Sequence, residues 1–372
     1  MKLLSLLRDI RRNRRNLVTR PRFLTYLVTF RCNARCVMCD SWKKPSPNEL
    51  TLPEIEAIFA QLPPMDAVRL SGGEPFLRAD LADIARLAAR VLRPWFLHVT
   101  TNGSLTRRIV EFCEARGRAT PLHLLVSLDG TEATHNSIRG RATAWQTAFA
   151  TVSELAPRQR ELGIRLAVNQ TIVDRNGAAE HRKLRELLHP LGVPVNAIVA
   201  YNQSATYSLD LEQNILPMAA GEFPAFAKLD AADLDVLMKE LQVQPQGASF
   251  PERLAKRYYF EGIRNRLLHR KGVPNPKCVA LNSHLRLFPN GDVSVCQFNS
   301  RRVGNLRREK FLELWNSPTA EAERDWVRRC PGCWAECEVL PNAVYSGDGL
   351  RYAFTKMIPL RNEGRDDHGH GI

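Results

Sequence analysis

Three cysteines, Cys32, Cys36 and Cys39, fall within eight residues, in the stretch Arg31-Cys-Asn-Ala-Arg-Cys-Val-Met-Cys39. Thiolates are the ligands of iron–sulfur clusters, and three at this spacing can hold three corners of one four-iron cubane. The next cysteine along the chain is Cys113, so one iron is left without a protein ligand and stays open to a substrate or cofactor. The same thiols also fit a zinc site or unrelated buried cysteines, although a structural zinc wants four closed ligands. A second set lies far downstream: Cys278, Cys296, and then Cys330-Pro-Gly-Cys333-Trp-Ala-Glu-Cys337. Four of these five are enough for a second centre, either a cluster or zinc. Between the two sets, Gly72-Gly73-Glu74-Pro75 combines glycines, which allow close backbone approach, with a carboxylate that can meet a cation. Cys113 sits in a helical run and reads as a small buried hydrophobe.

These groups need a scaffold, and the pattern around them supplies one. The apolar run Phe23 to Phe30 reads as a strand ending at the first cysteines. Ala67 to Ser71 is another, ending at Gly72-Gly73-Glu74. Phe96 to Thr101 ends at Asn102-Gly103, a turn signal, and Leu105 to Arg116 follows as a helix. Leu122 to Leu128 ends at Asp129-Gly130; Ile164 to Val173 and Val193 to Val199 follow, with a helical Ala178 to Leu188 between them. Six strand–helix units between residues 23 and about 240 predict an α/β fold with a parallel sheet. Six units make a partial (β/α)6 TIM-like barrel, open on one side, with ligands gathered at the carboxyl ends of its strands. Asn169 and Gln170 are inward polar candidates. Downstream, Leu234 to Leu241 and Glu252 to Leu268 read as helices, and Tyr258, Tyr259 and Phe260 on the second read as core. His284 to Phe288, Pro-Asn-Gly-Asp and Val293 to Val295 predict a β-hairpin that brings Cys278 near Cys296. The expected division is a basic segment 1–22, barrel 23–240, helical linker 241–275, cysteine module 276–345 and tail 346–372. The polar loop 201–221 offers substrate contacts, and the tail beyond Leu360 reads as disordered.

The Cys-x3-Cys-x2-Cys pattern resembles the signature of the radical S-adenosylmethionine (radical SAM) superfamily. That resemblance implies an open iron that chelates the amino and carboxylate groups of SAM. An electron from the reduced [4Fe-4S] cluster then cleaves the sulfonium, and the 5'-deoxyadenosyl radical abstracts hydrogen from substrate. Met38 stands where an aromatic residue often lies near the adenine; a thioether also packs on a flat ring. Gly72-Gly73-Glu74 resembles the second-strand motif whose backbone and Glu hold the SAM ammonium, and Asn102 joins the cofactor-binding set. Ser127 to Gly140 is similar to the fourth-strand segment of superfamily members with extra clusters. This implies Ser127 and Arg139 as contacts to the SAM carboxylate and ribose, the guanidinium being suited to a carboxylate. Arg139 equally fits a solvated surface charge. The C-terminal cysteines resemble the SPASM/twitch module, opening with Cys278-x12-Gly291-x4-Cys296. The full SPASM form uses more than the five cysteines here, so the resemblance implies one auxiliary [4Fe-4S] cluster. By analogy with twitch dehydrogenases its ligands are Cys278, Cys296, Cys330 and Cys333, with Cys337 an alternative ligand or spare thiol.

At 372 residues and 44% hydrophobic content the chain can bury a sizeable core. Nine cysteines at metal-like spacings suggest a reducing cytoplasm rather than a disulfide framework. No apolar stretch is long enough to span a bilayer. The formal net charge is +14, and residues 1–22 hold eight basic side chains against Asp9 alone. Leu3, Leu4, Leu6, Leu7 and Ile10 beside five arginines form a basic amphipathic helix. Such a helix either makes peripheral contact with an anionic membrane or caps the open bottom of the barrel. No nucleic-acid-binding motif is visible, so nucleic acid is an unlikely partner. The expected function is a radical SAM oxidoreductase acting on a peptide or a small polar, sugar- or aminocyclitol-like substrate. The auxiliary cluster would transfer electrons, and a partner such as flavodoxin or ferredoxin would supply them. A lipid-linked substrate is the alternative within this chemistry. A non-catalytic, zinc-stabilised basic binding protein is the alternative outside it.

Overall fold

The computed structural model describes residues 2–202, 204, 206, 222–223, 225–226, 229–242 and 250–357. Six parallel strands form where the apolar runs predict them: β1 (Phe23–Thr29), β2 (Ala67–Gly72), β3 (Phe96–Thr101), β4 (Leu122–Ser127), β5 (Ile164–Ile172) and β6 (Val195–Val199). Successive strands pair as neighbours from β1 to β6, as short right-handed crossovers favour. Helices Leu52–Gln61, Leu81–Val91, Thr106–Ala115, Ala144–Leu155 and Gly177–Leu188 fill the crossovers. Their apolar stripes bury the outward strand residues Leu24, Val68, Val99, Leu124 and Val168 in one core. Cys113 is buried in that core as expected, and desolvation pushes its thiol up to about 12.

The sheet does not close. β6 is one edge, and at the other the chain adds β7 (His284–Leu287) parallel to β1, then β8 (Asp292–Ser294) and β9 (Arg302–Asn305) antiparallel. The predicted hairpin is therefore present, but it extends the barrel sheet and does not stand apart as a separate layer. The reason is polar as well as apolar. Thr25 in β1 shares a 2.9 Å hydrogen bond with His284 in β7, and His284 meets Glu338 at 3.2 Å. Helices Phe250–His269 and Glu336–Ser346 cover the concave side. Tyr258 and Tyr259 pack there with Trp334, as core.

Helix Lys2–Arg14 lies at the amino-terminal ends of the strands. Its buried Asp9 sits between Arg20 and Arg22, and Asn13 donates to Ser283 and to the Tyr345 carbonyl. Leu6 packs with Phe23 and Tyr345, which favours the barrel-capping reading for this face. Leu3, Leu4 and Leu7 remain exposed. The region assigned to a C-terminal tail begins with a helix, Asp348–Met357. The disordered reading beyond Leu360, and most of the loop 201–221, lie outside the described residues. Among the described residues no helix is long and apolar enough to cross a membrane.

Candidate active site

The predicted residues gather at the carboxyl ends of β1 to β4. The loop carrying Cys32, Cys36 and Cys39 follows β1, and three neighbours fasten it. Gly73 N–H donates to Thr29 O and Glu74 N–H to Arg31 O, each at 2.8 Å. Arg35 and Val37 donate to the carbonyls of Arg139 and Ile138 at the end of helix Glu132–Arg139. Asn33, between the first two cysteines, accepts from Asn102 at 2.8 Å and donates to Ser104 at 2.9 Å. The cysteine loop is thus clamped by exactly the segments that the sequence singled out.

Several of those residues also hold the local backbone together. Gly72 has φ +140°, and a Cβ on it would lie 2.1 Å from Thr29 O; one on Gly73 would lie 2.2 Å from Arg31 O. Their smallness admits the end of β1 and the cysteine loop. Glu74 is 1% exposed. Its carboxylate already accepts from Phe76 N–H (3.1 Å), Thr101 Oγ1 (2.8 Å) and Asn102 N–H (2.7 Å). These bonds tie the end of β2 to β3. Burial pushes the Glu74 carboxyl up to about 7 despite those donors.

Arg139 is buried, not a solvated charge. Its Nε and Nη2 grip Asp129 at 2.5 and 2.9 Å, and Nη1 points at Cys36 Sγ from 3.6 Å. Burial opposes its charge, but Asp129 and Cys36 more than restore it. Asp129 is the residue the sequence reading missed. It also accepts from Thr171 N–H and holds His135 at its back. Its only sequence signal was the Asp-Gly pair, which looks like a turn. Ser127 ends β4 beside Asn169 of β5, near the barrel mouth. Gln170 faces away and bonds His181 and the Asp129 carbonyl, since adjacent strand residues alternate faces. Met38 packs on Ile138, Val173 and Ala200.

Lys44 was also missed. It is 5% exposed and donates to the Thr206 carbonyl at 2.5 Å. Thr206 N–H in turn donates to Gln297 O, next to Cys296. This strap runs from the first cysteine loop to the second cysteine set. Burial lowers the Lys44 ammonium to about 8, with Cys39 and Asp40 acting against it.

In the second set, Cys296 and Cys333 lie within electrostatic reach of each other and of Cys278, and Cys330 lies within reach of Cys278. The strongest electrostatic neighbours of Cys337 are Glu338, Arg286, Arg69 and Glu336. All nine thiols are free. Among the described residues no group of three Cys, His, Asp or Glu is drawn in around a single ion. Burial raises Cys32 and Cys278 to about 12 and Cys333 well up. Such thiols shed protons only to a strong local positive charge, which iron supplies. The residues present therefore fit iron–sulfur clusters at both places.

Comparison with known proteins agrees. The family model of the radical SAM superfamily matches residues 26–173, and that of the SPASM iron–sulfur cluster-binding domain matches residues 278–337. The chain thus carries a radical SAM domain followed by a SPASM domain. These domains bring a [4Fe-4S] cluster and SAM as cofactors, together with auxiliary cluster chemistry. The zinc-stabilised, non-catalytic alternative is thereby overturned, because this radical SAM protein is an enzyme. Curated relatives include an AdoMet-dependent heme synthase of Methanosarcina barkeri, 27% identical over 80% of this chain and 82% of that protein. A GTP 3',8-cyclase of Aquifex aeolicus is 28% identical over 80% and 90%. Among solved structures, anSMEcpe with bound AdoMet and the Cp18Cys peptide matches with TM-score 0.55 at 16% identity, over 93% of this chain and all of that one. Streptococcus suis SuiB bound to S-adenosylmethionine also reaches 0.55 at 16% identity, over 84% and 70%. These two share the fold.

Proposed function

We propose that this radical SAM enzyme abstracts hydrogen from an unactivated C–H bond of a small polar molecule or a peptide and drives a net oxidation. The observation that carries this reading is the convergence of the Cys32–Cys39 loop, Asn102, Ser127 and the Asp129–Arg139 pair on one end of an open parallel sheet. The cluster and SAM, when bound, supply one-electron reduction and the hydrogen-abstracting radical. The protein's share is holding and shielding. Cys32, Cys36 and Cys39 are assigned to the first cluster. Arg139, through Nη1, places positive charge against the Cys36 sulfur. Glu74 keeps the ends of β2 and β3 in register, so that backbone groups of Gly73 and Asn102 meet the cofactor in fixed positions. Cys278, Cys296, Cys330 and Cys333 are assigned to one auxiliary cluster that takes up or relays electrons, and Cys337 is spare.

The curated relatives that match over 80% of the chain are named for heme synthesis and GTP cyclisation, both chemistry on small molecules. That favours a small molecule; the fold shared with a peptide-bound structure keeps a peptide as the second reading. The test is anaerobic reconstitution. Wild type should bind about eight irons per chain, two four-iron clusters, and release 5'-deoxyadenosine from SAM under a strong reductant. Cys36→Ala should lose about half the iron and all cleavage. Undiminished cleavage by Cys36→Ala removes the assignment.

A further inference from the structure

Helix Lys2–Arg14 has two unlike sides. Leu6, Asp9, Ile10 and Asn13 recur at three- and four-residue spacing, so they share one face. That face is turned to the barrel: Asp9, Ile10 and Asn13 are buried, and Leu6 packs with Phe23 and Tyr345. The opposite side carries Leu4, Leu7, Arg8 and Arg11 at the same spacing, with Arg15 just past the helix end. Leu3, Leu4 and Leu7 are 67%, 73% and 48% exposed. Arg8, Arg11, Arg12, Arg14 and Arg15 are exposed as well. Capping the barrel accounts for the inner face, but it gives no reason for three leucines turned to water.

The acids that packing brings close to this helix already have basic partners. Asp9, which Arg8 also approaches at 3.8 Å, lies 3.7 Å from Arg20 and 3.4 Å from Arg22, and Arg22 reaches Asp66 at 3.4 Å. Arg328, whose guanidinium meets the Asn16 carbonyl, pairs with Glu321 and Asp325, and Arg324 pairs with Glu321 too. Asp348 accepts from the backbone N–H of Lys277, whose ammonium meets the Arg14 carbonyl. Five acids thus stand against Arg20, Arg22, Arg324, Arg328 and Lys277. The five arginines from Arg8 to Arg15 are in excess on one exposed surface. The neighbouring turn adds exposed Arg93 and Trp95, tied in where the Trp95 N–H donates to the Asp66 carbonyl. The lower lumen, a chamber of about 670 Å³ whose wall balances three basic against three acidic side chains, reaches the surface there at Trp95 and Val344. Leucines, arginines and an indole on one surface suit the boundary between acyl chains and phosphate headgroups. A soluble polyanion would answer the arginines but not the leucines. This end of the barrel lies opposite the cysteine loop, so a surface held here leaves the candidate active site open.

We propose that the outward side of helix Lys2–Arg14, with Arg93 and Trp95, docks on the surface of an anionic lipid bilayer. Leu3, Leu4 and Leu7 enter the acyl boundary, and the arginines meet headgroup phosphates. The test is co-sedimentation of the full-length protein with vesicles of phosphatidylcholine alone and of phosphatidylcholine mixed equally with phosphatidylglycerol. Wild type should bind the mixed vesicles and not the neutral ones, and added salt should release it. Arg8→Gln, Arg11→Gln and Arg15→Gln should each weaken binding about fivefold. Leu4→Ser combined with Leu7→Ser should weaken it at least as much. All these side chains are exposed, so every variant should melt and cleave SAM as wild type does. Equal binding to both kinds of vesicle overturns the proposal. So does undiminished binding by the double leucine variant, since the arginines alone would then be holding a polyanion. A wild-type dimer that the leucine variant splits into monomers also overturns it, because a second copy would then cover this side.

Discussion

Glu74 and Arg139 carry their charge inward, and both hold the backbone that holds the cysteines. Glu74 was legible as a functional residue from its motif, but its task depends on Thr101 and Asn102, which are distant in sequence. Its raised value gives a pH signature. Below about 4.5 the group is protonated whether folded or unfolded; between there and about 7 only the folded chain keeps the proton. Its contribution to stability is therefore present at low pH and lost as pH rises through about 7. Melting of the cluster-free protein should show that slope, and Glu74→Gln should flatten it. Arg139→Gln would leave Asp129, fully buried, with an unanswered charge. Breaking such a pair costs about 3–5 kcal/mol. Urea unfolding should register that loss, and Arg139→Gln should also lower iron retention at the first site.

Among the elements, the six strands and their helices were readable because apolar runs and turn residues alternate without ambiguity. What periodicity could not reveal is that β7 joins β1. That pairing depends on Thr25 meeting His284 across 259 residues, with Arg286 and Glu338 behind them. Helix Phe250–His269 shows the same limit. Its aromatics read as core, but nothing in the local sequence marks Gly262 as a packing position. In the structure a Cβ there would stand 1.9 Å from the Trp334 ring, whose indole N–H donates to the Tyr259 carbonyl. Gly262→Ala should therefore destabilise by about 1–3 kcal/mol through overpacking, against the small gain expected for a solvated helix position. Because Trp334 follows Cys333, the same variant should bind less auxiliary iron than wild type, measured by iron content after reconstitution.

At the scale of the molecule, the two cysteine sets flank one sheet, nine strands among the described residues, with the Lys44–Thr206–Gln297 strap between them. Under the proposed assignment the first set can run SAM cleavage without the second. Cys278→Ala should keep uncoupled formation of 5'-deoxyadenosine but lose product, followed by chromatography of both; product at the normal rate would remove the electron-acceptor role. The family, the cofactors and the parallel sheet were written in the sequence, because thiol spacing and strand–helix alternation are local patterns that need no partner to be read. The partnership of Asp129 with Arg139, the inward commitment of Glu74, the splice of β7 onto β1 and the chamber in the lower lumen were decided only by tertiary structure. Each is a meeting of groups far apart along the chain, and burial, which gives such meetings their energy, exists only once the chain has closed around them.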